Sequence, residues 1–111
     1  MLKVLNGDMT VTKEEFQKEM EDILRDNDKL NSVTQTVIYK IIDLYETATS
    51  AKSEIHTHGV LIEQIQANGI GKLVQNPAVQ IQSQAISGMS KMIAQLELDK
   101  LSRLGGEDDD L

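Results

Sequence analysis

The sequence predicts a mainly α-helical, oligomeric chain. It has an N-terminal helix, then a long antiparallel helix pair with a short β-hairpin or extended insertion between its helices, and apart from that insertion it is all-α. Three observations carry this. Val33, Val37, Ile41, Leu44, Ala48, Ala51 and Ile55 recur every three or four residues, close to a heptad coiled-coil seam, with no Gly or Pro among them. Between Gly59 and Asn76 the apolar period changes, with Asn68-Gly69 inside the segment. Asn76-Pro77 then restarts a helical pattern.

The first helix begins near Thr12. Thr12 and Glu15 have capping-box spacing, and Glu14 and Glu15 suit the positive end of the helix dipole. Phe16, Met20, Ile23 and Leu24 form its apolar stripe, and Asp26-Asn27-Asp28 frays or ends it by competing for backbone hydrogen bonds. Ile38, Ile42 and Tyr45 widen the stripe of the second helix, and Gly59 is its natural C-cap. About 25 residues at 1.5 Å each make a rod roughly 35–40 Å long. So long a rod points to packing against a partner.

After Gly59, Val60-Leu61-Ile62, Ile65, Ile70 and Leu73-Val74 are β-branched or aliphatic. Asn68-Gly69 is a favoured two-residue hairpin turn, because both positions tolerate positive φ. An irregular loop is the other reading. The third helix carries Val79, Ile86, Met89, Ile93 and Leu96 on one face and Ala78, Ile81, Ala85 and Met92 beside them. Ala85, Ser87, Gly88 and Ser90 are small enough to admit another helix. The pair should bury Ile41, Leu44, Ala48, Ile55, Ile86, Met89 and Ile93, and with Val37 these are the candidate core and subunit-contact residues. The apolar pattern runs out at Leu98, leaving Leu101, Arg103 and Leu104 as a coda.

A length of 111 residues fits one small domain. Phe16, Tyr39 and Tyr45 are the only aromatics, so the core is aliphatic. The absence of cysteine excludes a disulfide scaffold, a thiolate zinc site and a cysteine nucleophile. No apolar run approaches the roughly 20 residues that span a bilayer, and no signal-peptide core opens the chain, so a soluble intracellular protein is expected. A net charge of −7 argues against a stand-alone nucleic-acid module. Much of it lies in the end segment, where Gly105-Gly106 leads into Glu107-Asp108-Asp109-Asp110, a flexible, self-repelling extension.

Candidate chemistry is sparse. His56 and His58 stand at i and i+2, on different helix faces, unlike the i, i+4 pair a helical metal site needs. Gly69-Ile70-Gly71-Lys72 lacks the glycine spacing and the Ser or Thr of a phosphate loop. Asp22, Asp26 and Asp28 do not fit a calcium loop, whose sixth residue is Gly. With no nucleophile–base pair, the expectation is a non-enzyme without metal or cofactor. Lys13, Lys18, Arg25 and Lys29 of the first helix are interleaved with acids, which favours surface ion pairs. Lys100 and Arg103 could touch phosphate, cap carbonyls or pair with acids.

The order of features resembles a family. Asp43-Leu44-Tyr45 runs into His58-Gly59-Val60-Leu61-Ile62; Asn68-Gly69 leads to Asn76-Pro77-Ala78-Val79; Ala85, Met89 and Met92 precede Leu96-Glu97-Leu98 and Ser102-Arg103-Leu104. Over residues 37–104 this succession is similar to the phage terminase small subunits. Glu97 and Asp99-Lys100 depart from the Gly and Thr-Pro common there, and residues 1–32 show only one well-supported helix, without a full helix-turn-helix.

The resemblance implies a non-catalytic subunit that forms a homo-oligomeric ring, engages double-stranded viral DNA and regulates the large ATPase and nuclease subunit, in the cytoplasm of the bacterial host. Residues 1–32 would then be a candidate DNA-contacting segment. Residues 33–104 would form the oligomerisation core with its insertion at 59–75, and 105–111 an acidic tail. Lys13, Lys18, Arg25, Lys29, Lys100 and Arg103 become candidate DNA contacts, and Glu107, Asp108, Asp109 and Asp110 candidate contacts to the large subunit. A ring repeats a weak patch many times and so turns feeble contacts into useful affinity. The reading from another class is a small helical scaffold with no nucleic-acid role.

Overall fold

The computed structural model describes residues 10–98, 100 and 101. The elements run α1 (Lys13–Asp26), α2 (Ser32–His58), β1 (Leu61–Ile65), β2 (Gly71–Gln75) and α3 (Pro77–Gln95). The insertion is a regular antiparallel hairpin, so the chain is mainly helical and not strictly all-α.

Each helix starts on a side-chain cap. Thr12 Oγ1 accepts the Glu15 N–H at 3.1 Å, and Glu14 and Glu15 occupy the first turn of α1. At the other end Asn27 caps the helix and Asp28 turns away at φ 57°. Asn31 Oδ1 accepts from the N–H groups of Val33 and Thr34, while Thr34 Oγ1 accepts the Asn31 N–H at 2.9 Å. This is a reciprocal capping box with Thr in place of the usual Glu or Gln, which hides it from a pattern search. The 27 residues of α2 make a rod about 40 Å long. Gly59, at φ 87°, ends it and donates its N–H to the Ile55 carbonyl.

The hairpin turn is wider than the two-residue form that Asn68-Gly69 suggests. Gln66 N–H pairs with the Ile70 carbonyl, and Gly69 N–H with the Gln66 carbonyl at 2.9 Å. Within the turn only Gly69 has positive φ, at 82°. Asn68 instead uses its side chain, which accepts the Ile70 N–H at 3.0 Å. Three loop residues ending in a left-handed Gly are the next most common hairpin solution.

Asn76 joins the hairpin to α3. Its Oδ1 accepts the Ala78 N–H, its Nδ2 donates to the Gly59 carbonyl at 2.9 Å, and its own N–H donates to the Val60 carbonyl at 2.7 Å. It is the buried polar residue in the described core, and these bonds are what make its burial tolerable.

Helix α2 is central, and both α1 and α3 pack on it. Phe16, Met20 and Leu24, four residues apart, are buried in the core that α1 shares with α2. Phe16 meets Tyr45 edge to face with ring centroids 5.0 Å apart, and the Tyr45 hydroxyl donates to the Val11 carbonyl. Helices α2 and α3 run antiparallel: Ala51 lies near Ala78, Leu44 near Gly88, and Lys40 near Met92. A Cβ on Gly88 would stand 3.1 Å from Leu44 Cδ1, so the close approach that small residues permit is used inside the chain.

Two expectations change. Ile86 is not buried in the pair but lies on the outside of α3, 39% exposed. Nor does the apolar pattern end at Leu98. Glu97 takes φ 55°, which reverses the chain after α3 and returns Leu98 and Leu101 to the core. That turn breaks the helical period, so periodicity alone stops at Leu98 and does not place Leu101 in the core. Burying two such side chains contributes about 2–3 kcal/mol each.

Candidate functional site

The cations expected to meet phosphate are mostly engaged by acids. Helix α1 alternates the two signs along its sequence, and that spacing makes ion pairs on one helix surface. Asp22 receives Lys18 Nζ at 3.2 Å and Arg25 at 2.8 Å. The Lys18 hydrogen bond, with the Arg25 charge beside it, holds the Asp22 carboxyl below the usual carboxylate range. Lys13 reaches across to Glu46 of α2 at 2.9 Å, and this hydrogen-bonded carboxylate raises its ammonium above the ordinary lysine value. Lys100 lies 3.9 Å from Glu97. Of the candidates within the described residues, Lys29 alone has no ion pair there; Arg103 and the acidic segment Glu107, Asp108, Asp109 and Asp110 lie outside them.

Four other lysines also lack an ion pair among the described residues: Lys40 and Lys52 on α2, Lys72 on β2 and Lys91 on α3. They are scattered in sequence, so no cluster announces them. A signal exists for Lys52 and Lys91, which have no acid three or four residues away on either side.

Between α2 and α3 lies an open groove of about 590 Å³ lined by Asp43, Glu46, Thr47, Ser50, Ala51, Glu54, Ala78 and Ile81. Its three carboxylates repel phosphate, so DNA would approach from another side. Glu54 and His58 face each other at 3.6 Å, forming an ion pair only when the imidazole is protonated. Among the described residues no cluster of three His, Cys, Asp or Glu side chains gathers as a metal site. Gly71, part of the stretch that superficially suggests a phosphate loop, is a strand residue opposite Ile65.

The candidate subunit-contact residues divide. Ile41, Ala48, Met89 and Ile93 are buried within the chain's own helix pair, and Val37, Leu44 and Ile55 are half-buried. Ile86 stays accessible. Further uncovered apolar side chains gather on the hairpin, where Leu61, Ile65, Ile70 and Leu73 are each more than half exposed, while Val33 and Tyr39 of α2 are exposed singly. No helix among the described residues is long and apolar enough to cross a membrane.

A family model described as phage terminase, small subunit, matches residues 12–106. No curated protein and no solved structure matches the chain. The match opens at Thr12, the cap of α1, and runs through every element of the fold. Members of such a family are typically non-catalytic, and membership implies dealings with the large terminase subunit and with DNA. With a fold of charged helix, long helix, hairpin and sparsely charged helix, and a family match across nearly all of it, the chain belongs to the phage terminase small-subunit family.

Proposed function

We propose that this chain assembles into a homo-oligomeric ring that engages double-stranded viral DNA and regulates the large ATPase and nuclease subunit during genome packaging. The family match over residues 12–106 is the observation that carries the reading. The charge arrangement supports a collective mode of DNA binding. Lys13, Lys18 and Arg25 are largely neutralised by Glu46 and Asp22, so each copy offers only a few free cations. Repeating Lys29 around a ring sums those weak contacts.

In this reading residues 1–32 form the DNA-contacting segment, 33–104 the oligomerisation core, and 105–111 a tail through which Glu107, Asp108, Asp109 and Asp110 meet the large subunit. The site of action is the cytoplasm of the infected bacterium. Removing residues 105–111 should weaken binding to the large subunit while leaving assembly intact; unchanged binding would contradict the role given to the tail.

The decisive experiment is a salt titration of duplex DNA binding by the full chain. The expected result is an affinity that falls steeply and linearly on a log–log plot, with a slope larger than one copy's free cations could produce. The scaffold reading draws on the same ion pairs. It predicts no salt-sensitive binding at any ionic strength.

A further inference from the structure

The hairpin is the least covered element of the described fold. Side chains alternate across the pleat, so Leu61, Glu63 and Ile65 share a face with Gln75, Leu73 and Gly71 on the facing strand. Leu73 pairs directly with Glu63 and is therefore diagonal to both Leu61 and Ile65, which joins the three aliphatic side chains into one patch. They are 67%, 56% and 65% exposed respectively. Glu63, the one charge on this face, lays its carboxylate against Gly71, where a Cβ would collide with it. On the opposite face Ile62 and Val74 are half-buried, and Gln64 and Lys72 are exposed. An isolated two-stranded ribbon is marginal in water, and this one shows water its more apolar side. It calls for a cover.

Charge selects the cover. Each chain carries −7, so two copies repel unless they meet where charge is sparse. Nine of the 14 residues of α1 are charged, whereas Lys91 is the only charged residue among the 19 of α3. On one flank of α3, the half-buried Val79 and the exposed Ser83 and Ile86 follow at i, i+4 and i+7 with no charge among them. Depletion of charge at the centre of the contact is the compositional mark of a protein interface. A ring also needs two different surfaces on each copy that fit one another. The exposed apolar side chains of the hairpin would form the centre of such a contact, with polar residues around them making up the rest of the roughly 800 Å² each partner buries in a standard interface.

We propose that the Leu61–Ile65–Leu73 face of the hairpin seats on the Val79–Ser83–Ile86 flank of α3 in a second copy of the chain, head to tail. This assignment rests on the reading of the chain as a self-assembling subunit and names the surfaces that assembly uses. It gives the hairpin the cover it lacks, and it leaves α1 and its cations outside the contact.

The sequence contains no cysteine, so introduced ones report without background. Leu73→Cys and Ser83→Cys chains are prepared separately, mixed, and treated with a short bismaleimide. The expected product is a crosslinked dimer from the mixture and from neither variant alone, with a ladder of higher species when both substitutions share one chain. Efficient crosslinking of Leu73→Cys by itself would overturn the assignment in favour of hairpin–hairpin contact. A companion variant, Leu61→Lys with Leu73→Lys, is followed by native mass spectrometry and far-ultraviolet circular dichroism. Its helicity should persist while its dissociation midpoint rises more than tenfold. If the wild type is oligomeric and this variant is equally so, the assignment fails and self-assembly stands. A monomeric wild type would overturn both. Should the lysine variant lose its helicity, the cysteine mixture, whose substitutions are mild and exposed, decides.

Discussion

Helices α1 and α3 lean on the same central helix and present opposite characters to the outside. In α1 a narrow stripe of Phe16, Met20 and Leu24 is buried, and most of the rest is charged, with Asp22 pairing with both Lys18 and Arg25. In α3 the buried side is Ala78, Ala85, Met89 and Ile93, and the outer side is Gln, Ser and Ile with Lys91 as its single charge. Water is a sufficient neighbour for the first. In the proposed assembly the second, together with the bare hairpin beside it, is covered by protein. Under the proposed function, the difference marks where a chain of net charge −7 would meet its own copies, and why its DNA contacts would be gathered from several of them.

The comparison can be broken by detaching α1. Phe16→Ala removes a ring that is 1% exposed and stacked edge to face on Tyr45, and should lower stability in urea unfolding by about 3–5 kcal/mol. Assembly through α3 and the hairpin should survive at low denaturant. A loss below about 1 kcal/mol would mean that α1 is not docked as described.

Next in size is Asn76→Ala. It takes away the α3 cap, typically about 1 kcal/mol, and leaves the Gly59 carbonyl without its side-chain donor, so about 2–3 kcal/mol in all. Asn76→Asp keeps the cap acceptor and loses the donor to Gly59, and should fall between the wild type and Ala. Equal midpoints for all three proteins would show that this clamp contributes nothing.

A smaller effect separates free from engaged cations. Lys29→Gln should reduce the salt slope of DNA binding by about 0.9 per copy in contact, whereas Lys18→Gln should change it less, because Asp22 already occupies that ammonium. Both should stay within about 0.5 kcal/mol of wild-type stability. Identical slopes for the two variants would remove the distinction.

The smallest effect is on acid stability. Asp22 titrates below its ordinary value of 3.8 in the folded chain, so its ionised form favours folding. That contribution is present above the unfolded-state value and is lost as the pH falls through the lower folded one. Asp22→Asn should therefore narrow the gap in urea midpoint between about pH 5 and about pH 3, slightly, since the pair is solvated. A gap as wide as the wild type's would show that the ion pairs of Asp22 do not bear on folding.

Local chemistry made much of this fold readable from sequence. The Thr12 cap, the Gly59 stop and the Asn76-Pro77 start each depend on one or two adjacent residues, and all three stand where expected. What escaped depends on distance in the chain or on an interrupted period. Leu101 follows the turn at Glu97, the Asn76 side chain clamps Gly59, 17 residues away, and Ile86 faces outward although its spacing matches the core. The candidate cations show the same division. The pairing of Lys18 with Asp22 follows from helical spacing, but Lys13 finds Glu46 across 33 residues, and no local pattern marks Lys29 as free.

In the proposed assembly the two sides of the molecule differ in what covers them: solvent for α1, another copy for the hairpin and α3. Amide hydrogen exchange of the full chain, followed as it is diluted, tests this most directly. The account predicts that β1 and β2 are strongly protected at high concentration and lose that protection on dilution, while the amides of α1 around Phe16 and Met20 exchange at a rate independent of concentration. Hairpin amides that exchange fast at every concentration, or protection in α1 that vanishes instead, would contradict it.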